Sequence, residues 1–271
     1  MTAATLTAES PGGRGPAPWP RLAAAELLKL RKRRGLVAAA LLLGIAPMLI
    51  AYTVLVLLHA TNPEEHAPAG GLENLGDSIT VFSQLLVVVA SLVGVTAGAA
   101  DVRAGVFREL VVTGRSRLAL FAARIPGGLA FLVVPIGVGF AIAATASAVL
   151  AETGEAPSAA LLATTTGWVV LAAAANFALA LGVGSLVGSS STAIAILLGW
   201  NFAVIPVLRV IQDLADFRDA LLPIALERLQ PEALHAQVRT DSSLTVAIAG
   251  IAAWTLIPLV LGAWRTATRD A

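Results

Sequence analysis

The chain has 271 residues, 57% of them hydrophobic and only 13% charged, with a mean hydropathy of +0.84. Soluble domains run at about 45–50% apolar and about 25% charged residues, so the composition excludes an ordinary soluble domain and points to an integral membrane protein. There is no cysteine, which excludes disulfides and thiolate metal sites, and the net charge of +1 conceals an uneven distribution along the chain.

Residues 1–18, rich in Pro, Gly, Ala and Thr, lack a basic stretch followed at once by an apolar one, and read as a disordered tail and not a signal peptide. Residues 19–271 read as a single transmembrane domain. From Trp19 to Arg34 the spacing predicts a short amphipathic helix, with Trp19, Leu22, Ala23, Leu27 and Leu30 within one broad face. It closes on Arg31, Lys32, Arg33 and Arg34, which suits the plane of a membrane interface with the basic end among headgroups. Anchoring the first span is the plainer role for those charges.

Six spans follow. The first, 36–58, is uncharged and about 34 Å long as a helix, enough for a hydrocarbon core of roughly 30 Å with Pro47 tolerated inside. Residues 59–79 read as a polar loop holding Glu64, Glu65, Glu73 and Asp77. The second span is 79–100. A polar island, Asp101–Arg124, follows it, and the third span is 125–150. From Ala156 to Leu208 no residue is charged. One helix of that length would measure about 80 Å, so the stretch must hold two spans. The cluster Gly182, Gly184, Gly188, Ser189, Ser190 and Ser191 is where the chain can turn, giving spans 159–187 and 191–209. Residues 209–243 form a long polar connection in which Pro223 and Pro231 bracket Ile224–Gln230, a piece with helical apolar spacing. The sixth span is 244–264.

Alternating the spans places fourteen Lys/Arg on the side of the amino terminus, the island and the carboxy tail, and four on the other. Basic residues mark the cytoplasmic face. The expectation is therefore a multi-pass protein of the cytoplasmic membrane with both termini inside.

Catalytic chemistry is absent from the pattern. The only lysines, Lys29 and Lys32, lie in the basic amino-terminal segment, so no phosphate-cradling G-x-x-x-x-G-K-[ST] loop exists. His59 and His66 with Glu64 and Glu65 could ligate a metal, but loop residues without supporting spacing ordinarily face water. Serines lack a His/Asp partner at a recognisable spacing. Ionisable residues inside spans mark proton or ion paths; the six predicted spans contain none short of Arg209, the last residue of the fifth, which disfavours a coupled carrier. Gln84, Asn176 and Asn201 are the polar candidates for lining a pathway, although hydrogen bonding between helices is the commoner role. Gly94 and Gly98, with Gly182, Gly184 and Gly188, read as close-packing positions.

The driving energy must then enter from outside the spans, and the island is the place to seek it. Read as a helix from Val102, it sets Val102, Val106, Phe107, Leu110 and Val111 on one half, with Arg108 and Glu109 on the other. Thr113-Gly114 breaks it before Arg115 and Arg117. An apolar face with a lone acid among arginines is more than the charge rule requires.

These residues carry a resemblance. Asp101, Gly105, Phe107-Arg108-Glu109-Leu110, Ser116-Arg117 and Arg124, with the amino-terminal Glu26-Leu27-Leu28-Lys29-Leu30-Arg31, are similar to the pattern of the permease subunits of ABC-2 type ABC exporters. The resemblance implies an all-α, six-span membrane protein with an amino-terminal interfacial helix and a short cytoplasmic coupling helix between spans two and three. It implies coupling residues at Asp101, Gly105, Arg108, Glu109 and Leu110, and interfacial-helix residues at Glu26, Lys29 and Arg31. It also implies partners: two cytoplasmic ATPase subunits, which would hold ATP and Mg, a second permease copy or homologue, and membrane lipid. No cofactor in this chain and no nucleic acid are expected. A membrane scaffold or immunity-type protein recruiting a cytoplasmic partner through the same island is the alternative reading.

Overall fold

A backbone removed from water must satisfy its own hydrogen bonds, and an uncharged chain does so most simply as helices. The computed structural model describes residues 19–103, 116–152, 154–211, 215–234 and 243–268. Those residues are all-helical, without a strand, and contain six helical stretches long and apolar enough to cross a membrane: Arg34–Thr61, Leu72–Ala99, Arg117–Val149, Ala159–Val187, Ser190–Val210 and Leu244–Thr268. Large apolar side chains such as Leu42, Val133, Val170, Val207 and Val260 stand more than 60% exposed around the bundle. A surface so apolar suits lipid and not water. The chain is a multi-pass helical membrane protein.

The elements run in order as α1 (Trp19–Arg31), α2 (Arg34–Gly44), α3 (Ala46–Thr61), α4 (Leu72–Arg103), α5 (Arg117–Val149) and α6 (Ala159–Val187). Next come α7 (Ser190–Gly199), a π-helical turn at Trp200–Val204, α8 (Ile205–Val210), α9 (Ala215–Asp219) and α10 (Leu222–Arg228). A 3₁₀ turn at Glu232–Leu234 precedes α11 (Leu244–Thr268). The first crossing is interrupted at Ile45, two residues before Pro47. Proline cannot donate to the carbonyl four residues back, and its ring crowds the preceding turn. Pro206 has the same effect in the fifth crossing, where the helix widens and Ile205 N–H bonds to Trp200 O. Such wide turns recur at functional sites.

Two predicted boundaries move. The loop expected at 59–79 shortens, because α3 reaches Thr61 and α4 starts at Leu72, so Glu73 and Asp77 are helical. The third crossing begins at Arg117, not 125. Ser116 caps it, its Oγ accepting from Ala119 N at 3.1 Å, and the apolar residues Leu120 and Phe121 are buried. Arg124 therefore belongs to the helix, and the expectation of spans free of charge is corrected at that position. The turn predicted at the Gly/Ser cluster falls at Gly188, which ends α6 in the left-handed conformation at φ 75°, a backbone state that glycine adopts without a Cβ penalty.

α4 and α6 form the centre, and they touch backbone to backbone. A Cβ on Gly94 would sit 2.7 Å from Phe177 O, one on Gly98 2.6 Å from Leu181 O, and one on Gly184 2.8 Å from Val95 Cα. Small residues permit this approach, and dispersion between close helices is what holds a bundle in lipid. Phe82, Leu86, Val89, Val93, Phe177 and Leu181 complete the core around it. Gly182 meets Pro258 of α11 in the same manner.

At one end of the bundle α1 packs on the first turns of α5, where a Cβ on Gly127 would meet Ala23 O at 2.9 Å. At that same end Arg117 Nη1 donates to Ala267 O near the end of α11 at 3.1 Å. The two described ends of the chain thus lie together, as six crossings require. At the opposite end, the 62–71 loop supplies N–H groups to the finish of α5: Gly71 N to Ser147 O at 2.8 Å and Gly70 N to Leu150 O at 3.0 Å. Those carbonyls would otherwise be orphaned at a helix terminus. The Tyr52 hydroxyl ties the same end, lying 2.5 Å from Ser147 Oγ and accepting from Ser78 Oγ at 2.9 Å.

Candidate translocation cavity and the end that faces it

Between α4, α6, the α7–α8 crossing and α10 the helices leave a cavity of about 760 Å³. That volume is within the range of small-molecule sites, roughly 300–1,000 Å³. Gln84, Asn176 and Asn201 all line it. They come from three different crossings. α4 contributes a stripe of Asp77, Thr80 and Gln84, spaced three and four residues apart so that they share a face. Asn176 is buried on α6, and its Nδ2 donates to Ala172 O at 2.9 Å. Asn201 sits in the π turn, where the widened backbone turns the crossing toward the cavity.

The walls on the far side are built by residues that sequence reasoning passed over. Trp168 is buried, and its Nε1 donates to Leu226 O at 2.8 Å, fastening α10 to α6. Leu221, Leu222, Ile224, Ala225 and Leu226 are buried as well, so the piece between the two prolines is part of the packed bundle. Trp200 and Trp254 pack at 5.6 Å between ring centroids beside Ile205, Leu221 and Ile224. Across the mouth Arg209 pairs with Glu227 in a fork, Nη1 to Oε2 at 2.9 Å and Nη2 to Oε1 at 2.5 Å. Bidentate geometry makes this stronger than an ordinary surface pair, and it joins α8 to α10.

α4 leaves the cavity and continues without a break to Arg103. Asp101 is thus on the same helix as Gln84, about 26 Å further along at 1.5 Å per residue. Gly105, Arg108, Glu109 and Leu110 lie outside the described residues. On α1, Lys29 Nζ pairs with Glu26 Oε1 at 2.7 Å, and Arg31 is exposed. The predicted apolar face of α1 is corrected in one respect: Glu26 is buried in its middle. At 100° per residue Glu26 falls between Leu22 and Leu30, so the sequence did carry this signal. With Leu30 buried and Leu22, Ala23 and Leu27 half-buried, that face meets α5, so lipid cannot be its only contact.

Arg124 stands close by and is 1% exposed. Its Nη1 donates to Gly98 O at 3.2 Å, and Ser185 Oγ, which donates to Leu181 O at 2.8 Å, lies 3.5 Å from the same carbonyl. α4, α5 and α6 therefore converge on Gly98. Arg124 is about 14 Å from the midpoint of α5, near the edge of a hydrocarbon layer about 15 Å deep on each side. A guanidinium at that depth is held by backbone dipoles and is not stranded at the bilayer centre.

The histidine pair considered for a metal is engaged otherwise. His59 Nδ1 lies 2.7 Å from His66 O and its Nε2 3.4 Å from Glu152 Oε2. Among the described residues no group of three His, Asp or Glu is placed to hold a metal ion. Compared with protein-family models and with curated proteins, the chain finds no match.

Proposed function

We propose that this chain is the membrane-spanning permease subunit of an ATP-driven ABC exporter of the ABC-2 type. One observation carries the reading. The helix that lines the cavity through Asp77, Thr80 and Gln84 runs on, unbroken, to Asp101 and Arg103, where the predicted coupling segment begins. A rigid helix converts a push at one end into a tilt at the other. Force applied to the 101–113 segment by a cytoplasmic partner would thus open or close the cavity. α1, seated against α5, stands beside the same end and would share the contact through Lys29 and Arg31, Glu26 being buried against α5.

In this reading both termini and the 101–116 segment face the cytoplasm, ATP and Mg belong to two ATPase subunits, and a second permease copy or homologue completes the assembly. The exported molecule occupies the cavity beside Gln84, Asn176 and Asn201 on its way out across the cytoplasmic membrane.

Orientation and partnership are tested together. The absence of native cysteine makes a Thr113→Cys or Glu73→Cys variant a clean label site. The expected outcome in intact cells is labelling at position 73 and protection at 113 from an impermeant thiol reagent. The wild-type chain, purified gently from its native membrane, should bring an ATPase with it. External labelling at 113, or purification with no ATPase, would favour a membrane scaffold instead.

A further inference from the structure

Several of the cavity's hydrogen-bond donors are already committed within the protein, and one of its carboxylates is exposed. Thr80 Oγ1 donates to Gly76 O at 3.0 Å, and Ser83 Oγ donates to Thr80 O at 2.8 Å. Each hydroxyl has one proton and two lone pairs, so both are left as acceptors. Asn176 spends an N–H on Ala172 O, and Trp168 spends its only N–H on Leu226 O. The guanidinium of Arg209 is turned onto Glu227, and the two charges offset each other. Asp77 remains an exposed carboxylate at the mouth, outside any ion pair among the described residues. Gln84, Asn201 and Gln230 can accept or donate.

We infer that the cavity takes a cationic, hydrogen-bond-donating ligand: an ammonium or amidinium group carried on an apolar body. Such a group finds Asp77 at the entrance and a row of acceptor oxygens behind it, at Thr80, Ser83 and the Asn176 carboxamide. Its apolar body lies against Leu86, Val87, Trp168 and Phe202. An anion of the same shape would meet the Asp77 charge and find the Thr80, Ser83 and Trp168 donors already committed, which is the repulsive half of specificity. The volume of about 760 Å³ admits a molecule of several fused rings. This inference rests on reading the cavity as the transported molecule's site, and it names that molecule's class.

The test uses two dyes on one xanthene frame, rhodamine 123, a cation bearing N–H groups, and fluorescein, an anion at pH 8. Each is titrated against the full chain in a neutral detergent and followed by fluorescence anisotropy. Rhodamine 123 should bind about fivefold more tightly, the upper end for one partly exposed charge pair. Asp77→Asn should bring the two dyes to within about twofold, since the pair is then removed. Glu73→Gln, the same loss of charge one turn away and outside this cavity, should leave the preference as it was. Equal or tighter binding of fluorescein, an unchanged preference in Asp77→Asn, or the same collapse in Glu73→Gln would each overturn the inference. Binding here needs no ATPase. Cation preference without ATP-driven transport would therefore sink only the exporter reading, and transport without cation preference would sink only this one.

Discussion

A Gly98→Leu substitution is expected to dismantle the centre of the bundle. The new side chain would start 2.6 Å from Leu181 O and 2.8 Å from Ser185 N, and both obstacles are backbone, which cannot rotate aside. Overpacking a well-filled core costs about 1–3 kcal/mol, occasionally more. Here two helices must separate along the contact that also holds Gly94 and Gly184, so the cost is set at about 3 kcal/mol or above. For a chain of this size that corresponds to a drop of roughly 6–12 °C in the thermal midpoint. The carbonyl that Arg124 and Ser185 approach would be displaced as well. Gly137→Leu is the matched comparison, since nothing lies within 4 Å of its Cβ position. There the change faces open space and relieves a glycine in a helix, a gain of up to about 1 kcal/mol. Thermal unfolding in detergent, followed by tryptophan fluorescence, distinguishes the two. A Gly98→Leu protein as stable as wild type would mean that α4 and α6 do not touch as described.

Under the proposed exporter function, the second large effect is on transport and not on folding. Glu109→Lys should reduce ATP-driven export by more than about tenfold, the equivalent of about 1.4 kcal/mol at the coupling contact, while the protein inserts at its normal level. Glu109 is a lone acid among Arg103, Arg108, Arg115 and Arg117. Reversing it leaves Asp101 as the island's one acid and makes 102–124 uniformly basic, which alters any partner surface but leaves the topology signal stronger than before. Immunoblotting of membranes with an efflux assay checks both halves. Normal export would remove Glu109 from the coupling contact, and failed insertion would assign it a role in folding.

Six crossings were legible in the sequence because hydropathy and length alone decide them. Their edges were not. A hydropathy reading stops at charges, whereas a helix stops where its backbone loses partners. α4 therefore starts before Glu73 and Asp77, and α5 takes in Arg117 and Arg124. The break before Pro47 and the π turn before Pro206 both come from a missing N–H, visible as proline in the sequence but not as the particular distortion. Gln84, Asn176 and Asn201 were legible as pathway candidates because polar residues are scarce in these crossings. What placed them in one cavity is tertiary packing: Trp168 on Leu226 and Arg209 on Glu227. The second pair is 18 residues apart, about 27 Å along a single helix, so only the folding of the chain between α8 and α10 brings them together. Glu26 was a different kind of omission. Its place within the apolar face of α1 follows from the same 100° arithmetic that defined the face.

Access to the cavity under the control of ATP is the centre of this account, and a single label can report it. A Gln84→Cys variant carries its only thiol on the cavity wall, in a chain with no other cysteine. In membranes that retain the partner ATPase, the rate of labelling by an impermeant thiol reagent is measured with and without a hydrolysis-resistant ATP analogue. Nucleotide is expected to change the rate by several-fold, and adding Glu109→Lys to abolish the change. A rate indifferent to nucleotide, in membranes where the ATPase is present and active, would contradict that expectation.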